Sequence, residues 1–140
     1  MEIARLNLLS PLFYLADKAL DPFAYREGDG EMLFCFDLNE AQYRAFEPDK
    51  TELLGDLIFG ARAAAAERKA GEGETLRELP GGNYLFAQKR EILNKEKIMD
   101  LAVEIQAEAL WQRLEPGKRL YLRYLFEDGR SVTQLFRPSI

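Results

Sequence analysis

The chain contains no histidine, and this absence removes whole classes of chemistry. The Ser-His-Asp and Cys-His nucleophile systems need an imidazole to take the proton of the nucleophile. Histidine-ligated zinc, copper and non-haem iron sites are excluded too, and one cysteine cannot supply a zinc–thiolate cage. Carboxylate sites for magnesium or calcium stay open, although no EF-hand-type spacing occurs. We predict no catalytic residues of these classes, no metal site and no cofactor.

Cysteine and long apolar runs are also scarce. The single cysteine, Cys35, cannot form an internal disulfide, which fits a reducing compartment. Its neighbours in the segment MLFCF are apolar, so we predict a buried and unreactive thiol. No uncharged apolar run reaches the roughly 18 residues of a membrane helix, and charged residues interrupt the N-terminal stretch. We expect a cytoplasmic protein with no membrane partner.

Positive charge is in deficit as well. The chain has 19 Lys and Arg residues against 24 Asp and Glu residues, a net charge of −5. An acidic chain repels phosphate backbones, so we expect no direct nucleic-acid partner. Neither a P-loop nor a dinucleotide-binding glycine motif occurs.

What is present suits one globular domain. A length of 140 residues with 47% hydrophobic and 31% charged residues predicts a single domain, 1–140, with a substantial core. Within it, 1–74 and 75–140 are candidate half-domains.

The second half has the clearest pattern. Residues 83–88 are predicted to be a strand. Residues 94–114 carry apolar side chains at helical spacing, with Asn94 as N-cap and Pro116-Gly117 as the stop. Residues 118–126 and 130–137 predict a hairpin around a two-residue turn, Asp128-Gly129. The second half is therefore predicted to be β-α-β-β.

The hairpin register follows from the turn. Glu127 would pair with Arg130, Leu122 would face Leu135, and both faces would carry apolar residues. One face would pack on the helix, and the other must meet a second half-domain, a ligand or a partner subunit. We predict an α+β fold, an antiparallel sheet with helices packed on one face. A first half of similar content would make it pseudo-duplicated.

Residues 49–69 admit two interpretations. Apolar residues recur at helical spacing, and the alanines favour a helix. Gly55 and Gly60 argue against it, since each costs about 1 kcal/mol inside a helix. Residues 56–66 are alternatively a strand with a glycine bulge. Local propensity favours the helix.

The segment LPGGNY at 79–84 resembles the entry to the second half of GyrI-like (gyrase-inhibitor-like) domains, which are also effector-binding domains of bacterial transcription regulators. The resemblance covers mainly residues 56–140. It includes the long helix, the segment Leu122-Arg123-Tyr124 where that family has an E-x-Y element, and the closing segment TQLFRP at 133–138. Leu122 occupies the position of the family's pocket glutamate.

The resemblance implies two β-α-β-β-like halves packed around a cleft that binds small aromatic or cationic molecules. It also implies that 56–66 is a strand. Our candidate ligand-binding residues are Trp111, Tyr84, Tyr124, Tyr121 and Glu104.

Each candidate has a structural explanation beside the functional one. Trp111, the only tryptophan, lies among acidic residues on a helical wheel, where a ring and a carboxylate can hold an organic cation. Its structural explanation is a half-buried edge residue at a domain or dimer contact. Glu104 would be solvated, and the tyrosines would pack in a core.

Three functions stay open on this basis. The first is a stand-alone small-molecule-binding domain for sensing or sequestration. The alternative is an acidic protein-interaction or adaptor module without catalytic activity, which forms a homodimer or uses its aromatic surface to bind a protein partner. The third is a histidine-free hydrolase that uses carboxylates and tyrosines.

Overall fold

The computed structural model describes residues 3–63 and 75–140, which form eight strands and one helix. The elements are β1 Ala4–Leu8, β2 Leu12–Ala16, β3 Met32–Leu38, β4 Leu54–Ala63, β5 Leu76–Leu79, β6 Gly82–Lys89, α1 Lys95–Trp111, β7 Arg119–Glu127 and β8 Arg130–Pro138. All strands join one antiparallel sheet in the order β1-β6-β8-β7-β3-β4-β2-β5.

Two short connections curl this sheet. β1 lies at one edge and β2 beside the other edge, yet only residues 9–11 join them. β5 forms that other edge, and only Pro80 and Gly81 join it to β6, the neighbour of β1. Connections this short bring the C-terminal end of β1 close to the start of β2, and the end of β5 close to the start of β6, so the sheet forms a curled half-barrel.

The predicted fold class is wrong. The described part of the chain is dominated by antiparallel sheet, 46% strand, and is not an α+β fold with helices packed on a sheet. The order β6-α1-β7-β8 matches the predicted β-α-β-β unit, but the described part of the first half contains β1 to β4 and no helix, so the halves are not duplicates. The fold class differs from the prediction because the sheet curls, and its second apolar face is buried against other strands of the same sheet.

The segment 49–69 is also not helical where it is described. Residues 54–63 form β4, as the strand alternative required, and residues 64–69 lie outside the described residues. Both glycines are explained by close approach to β3. A side chain at Gly55 would collide with the carbonyl oxygen of Asp37, and a Cβ at Gly60 would lie 2.9 Å from Phe34 Cε1. The pairing of β3 with β4 is irregular on the C-terminal side of Cys35.

Apolar residues form two cores, one on each face of the sheet. The helix-side core lies between the sheet and α1, and it includes Ile98, Leu101, Ile105, Leu85 and Leu122. The concave core fills the inside of the curl with residues from all eight strands, namely Leu6, Leu8, Leu12, Tyr14, Leu33, Cys35, Phe59, Ala61, Leu79, Tyr84, Phe86, Tyr121 and Phe136. Neither face of the sheet centre is left open.

Candidate functional site

Three of the five predicted site residues are buried in the two cores. Tyr84 and Tyr121 lie in the concave core, where their rings meet edge to face with centroids 6.3 Å apart. Tyr124 lies in the helix-side core, stacked on Tyr25 at 4.3 Å, and its hydroxyl donates to the carbonyl oxygen of Pro22 at 2.6 Å. Burial raises the pKa of Tyr84 to about 12. The structure brings Tyr84 and Tyr121 together but separates them from Tyr124.

The other two predicted residues share an open groove. Trp111 and Glu104 lie on the outer face of α1, and 76% of Trp111 is exposed. We call this depression the Trp111 groove, and its volume is about 500 Å³. It is lined by Ile3, Phe46, Glu104, Ala107, Glu108 and Trp111. Residues of α1, the chain before β1 and the loop between β3 and β4 therefore meet here.

The end of α1 positions Trp111. The predicted N-cap is confirmed, since the Asn94 side chain accepts from the backbone of Lys97. The predicted C-terminus is wrong by three residues, because Arg113 adopts a positive φ of 59°. The N–H of Leu114 then donates to the carbonyl of Ala109 at 2.8 Å, as in a Schellman motif. Trp111 is thus in the last helical turn.

Phe46 forms the opposite wall, and 56% of it is exposed. Its loop is held against α1 by Gln106, a fully buried residue. The Gln106 side-chain amide donates to the carbonyls of Gln42 at 2.8 Å and Ala45 at 2.6 Å. The wall of the groove is therefore fixed to the helix that carries Trp111, which reduces the ordering cost of binding.

The chain at β1 closes a third side. Ile3 lines the groove, and two residues later Arg5 Nε donates to Gln112 Oε1 at 2.7 Å. Gln112 in turn donates to Glu108 Oε1 at 2.8 Å. This relay ties the edge strand to a carboxylate of the groove.

The groove is acidic as well as apolar. Glu104 is exposed, and in the described part of the chain neither it nor Glu108 forms an ion pair. Two basic residues of the neighbouring loop are paired elsewhere: Arg44 with Glu115 at 3.0 Å and Lys50 with Asp100 at 2.6 Å. Carboxylates one helical turn apart repel each other, so a bound cation would relieve that repulsion.

Inside the curl, the concave core is occupied by side chains. Leu33 is fully buried and Cys35 is 3% exposed, and burial raises the pKa of the Cys35 thiol to about 11. The prediction of a buried cysteine is confirmed. These residues and Tyr14 belong to the cluster that fills the inside of the curl.

A polar network crosses the same concave face. Arg123 donates to Glu31 at 3.1 Å, to the hydroxyl of Tyr14 at 2.9 Å and to Gln134 at 3.0 Å. Burial, and the Tyr14 hydroxyl's hydrogen bond to Glu31, raise the pKa of Tyr14. Because Arg123 has its carboxylate partner within the network, we interpret the network as a link between strands.

Sequence reasoning missed Phe46 and this network. Phe46 stands alone in the irregular segment YRAFEP, so no periodicity marks it. Arg123 belongs to a predicted strand, but its partner Glu31 is distant in sequence, and the pairing of β3 with β7 brings them together. The sequence did offer one signal: Arg123 is a charged residue in a strand whose two faces are both apolar, and a buried charge needs a polar partner.

The described residues contain no cluster of three or more Cys, Asp and Glu side chains that could hold a metal ion. Within the same residues, no helix is both long and apolar enough to cross a membrane. Compared with known proteins, the chain matches no family model, and no curated protein matches it significantly.

Proposed function

We propose that this protein is a protein-interaction module whose Trp111 groove docks a basic, partly apolar segment of a partner protein. One observation carries the proposal: a 76% exposed tryptophan and a 56% exposed phenylalanine share a groove with two carboxylates. Exposed aromatic side chains of this kind are enriched at binding hot spots. Among the described residues, those that line the groove include no basic one, so the complementary partner is cationic.

The energetics favour a segment of a protein over an isolated ion. Covering a large apolar side chain contributes about 1.5 to 3 kcal/mol, so Trp111 and Phe46 together can supply about 3 to 6 of the roughly 8 kcal/mol of a micromolar affinity. The carboxylates are on the surface, where each ion pair contributes only about 0.2 to 1 kcal/mol. Affinity would therefore come mainly from Trp111 and Phe46, and selectivity among partners from the two carboxylates of the groove.

The test is selection of peptides of about ten residues from a random displayed library, with the Trp111→Ala variant used for counter-selection. We expect selected peptides to combine Lys or Arg with an apolar residue. Their affinity should fall at least tenfold, about 1.4 kcal/mol, in Trp111→Ala. Glu104→Gln should weaken binding a few-fold and reduce its salt dependence, whereas Glu127→Gln at the hairpin tip should do neither. Selected peptides that bind Trp111→Ala as well as the wild type would refute the proposal.

A second candidate function is small-molecule binding at the same groove. Its volume of about 500 Å³ lies within the range of ligand sites, and Trp111 beside Glu104 suits an aromatic cation. This keeps the sensing or sequestration function that the sequence and its GyrI-like resemblance suggested. Titration of Trp111 emission with a panel of aromatic cations tests it. A saturable change in the wild type that is lost in Glu104→Gln would support it, and an unmoved emission would refute it.

We extend the proposal to the setting of the protein. A single, deeply buried cysteine suits a reducing compartment, so we assign the protein to the cytoplasm. Its acidity disfavours direct contact with nucleic acid. A homodimer remains the alternative use of the groove, and sedimentation of the free protein would reveal it.

A further inference from the structure

We propose that the partner segment binds in an extended conformation and adds a strand to the free edge of β1. This inference rests on the proposed function, because it describes how the same partner is held beside the Trp111 groove. Strand addition to an exposed sheet edge is a recurrent way of recognising peptides.

β1 offers an open edge with a defined phase. In the described residues β1 pairs with β6 alone. The carbonyl of Asn83 in β6 accepts from the N–H of Ser139, so the backbone groups of Asn83 point away from β1. Along an antiparallel strand the backbone groups of successive residues point to opposite sides. Those of the next residue, Tyr84, therefore point toward β1 and bond to Leu6.

The outward-facing residues of β1 follow from that phase. Since Leu6 bonds to β6, the N–H and C=O groups of Arg5 and Asn7 point to the open side. Within the described part of the chain, these backbone groups donate to and accept from no other segment. β1 thus presents the N–H and C=O groups of two alternate residues, Arg5 and Asn7, which is the spacing at which an added antiparallel strand forms hydrogen bonds.

Two of the residue types that usually protect an edge strand are missing. Ala4–Leu8 contains neither proline nor lysine, the residues that commonly blunt edges. Its two long polar side chains are tied back to the protein's own surface, Arg5 to Gln112 at 2.7 Å and Asn7 to Asn83 at 2.6 Å. These hydrogen bonds keep both side chains away from the open edge, so neither shields its backbone groups.

The open edge is continuous with the Trp111 groove. Ile3, immediately before β1, lines the groove, and the Arg5–Gln112–Glu108 relay joins the strand to the groove carboxylate. An added strand would place every second side chain on the side of α1, beside Trp111 and Glu104. The partner sequence is therefore expected to carry its apolar and basic residues two positions apart.

The experiment uses the peptides selected on the full chain. Each peptide is synthesised with N-methyl groups at alternate residues, in one phase and then in the other, so that each version loses half of its N–H donors. We expect one phase to weaken binding about tenfold or more and the other to stay within about twofold of the parent, because only one phase faces β1. Amide exchange at Arg5 and Asn7, followed by NMR, should slow when the parent peptide binds.

Several outcomes would overturn the inference. Tolerance of both N-methylated phases, with unchanged exchange at Arg5 and Asn7, would show that the peptide binds without strand addition while leaving the Trp111 groove as the docking site. Failure to obtain any Trp111-dependent peptide would instead remove the proposed function itself. Slow exchange at these amides in a dimer of the free protein would assign the edge to a second copy of the chain.

Discussion

Arg137 donates to Gln106 inside the protein, with 2.9 Å between Nη1 and Oε1, and this contact joins the last strand to the helix. Arg137 is 1% exposed, and it also donates to the carbonyls of Gly117 at 2.6 Å and Tyr43 at 2.8 Å. Burial lowers the pKa of Arg137 to about 10, so it stays charged at neutral pH. Arg137 and Gln106 together fix the loop that carries Phe46.

Replacing this arginine should therefore be costly. Arg137→Met keeps much of the side-chain volume but leaves one buried and two part-buried oxygens without their donor, and we expect the free energy of unfolding to fall by about 2 to 4 kcal/mol. Urea denaturation measures the change. Arg90→Met is the matched control at an exposed position, and it should stay within about 0.5 kcal/mol of the wild type. Equal stability of the two variants would contradict this account of Arg137.

The left-handed residue after α1 gives a stabilising prediction. Arg113 has φ 59°, a conformation that glycine adopts without a Cβ clash. Arg113→Gly should raise the free energy of unfolding by about 0.5 to 1 kcal/mol, the relief of strain being partly offset by the greater freedom of the unfolded chain. Arg113→Ala removes most of the same side chain but keeps the Cβ, so the strain of the positive φ persists and the protein should not become more stable. Thermal denaturation that ranks alanine at or above glycine would contradict the prediction.

The buried thiol predicts a pH dependence in alkali. The pKa of Cys35 rises from 9.0 in the unfolded reference to about 11 in the folded protein, chiefly through burial. The folded state thus holds the proton more tightly, so stability is complete below about pH 9 and declines as the pH rises toward 11. Tyr84, raised from 10.0 to about 12, adds a decline that begins one unit later. Unfolding free energies measured from pH 7 to 10.5 should show this onset.

The Cys35→Ala variant distinguishes the contribution of the thiol from that of the tyrosines. Without the thiol, the decline should begin near pH 10, where the tyrosines start to ionise in the unfolded chain. A wild-type curve that stays flat to pH 10, or an onset that the substitution does not move, would show that Cys35 does not govern the early decline.

The hairpin was predictable to the residue because its turn sets the register. Asp128 and Gly129 both have positive φ, 51° and 77°, as a two-residue turn of this kind requires. The predicted pairs of Glu127 with Arg130 and Leu122 with Leu135 are confirmed. A local signal fixed this part of the fold.

The fold class was not predictable from the same signals. Local propensity favoured a helix at residues 49–69, but contacts of Gly55 and Gly60 with β3 select a strand at 54–63. The curl depends on the connections at 9–11 and 80–81, whose effect is visible only once β1, β6, β2 and β5 are paired. The sequence predicted that the second apolar face of the hairpin meets a second half-domain, a ligand or a partner subunit, but its cover is the curled sheet itself.

The candidate site divides in the same way. Helical periodicity placed Trp111 and Glu104 outside the apolar face of α1, and both lie in the groove. The tyrosines could not be assigned, since strand alternation does not tell which face of a curled sheet stays open. Phe46 depends on the buried contacts of Gln106 and Arg137, which are remote in sequence.

The central claim is that the Trp111 groove is a docking surface, and one matched pair of variants tests it most directly. Phe46 and Phe126 are almost equally exposed, 56% and 55%, but only Phe46 lies in the groove. Binding of a selected peptide is followed by the emission of Trp111. We predict that Phe46→Ala weakens binding about tenfold while Phe126→Ala binds like the wild type. Equal affinities for the two variants would contradict the account.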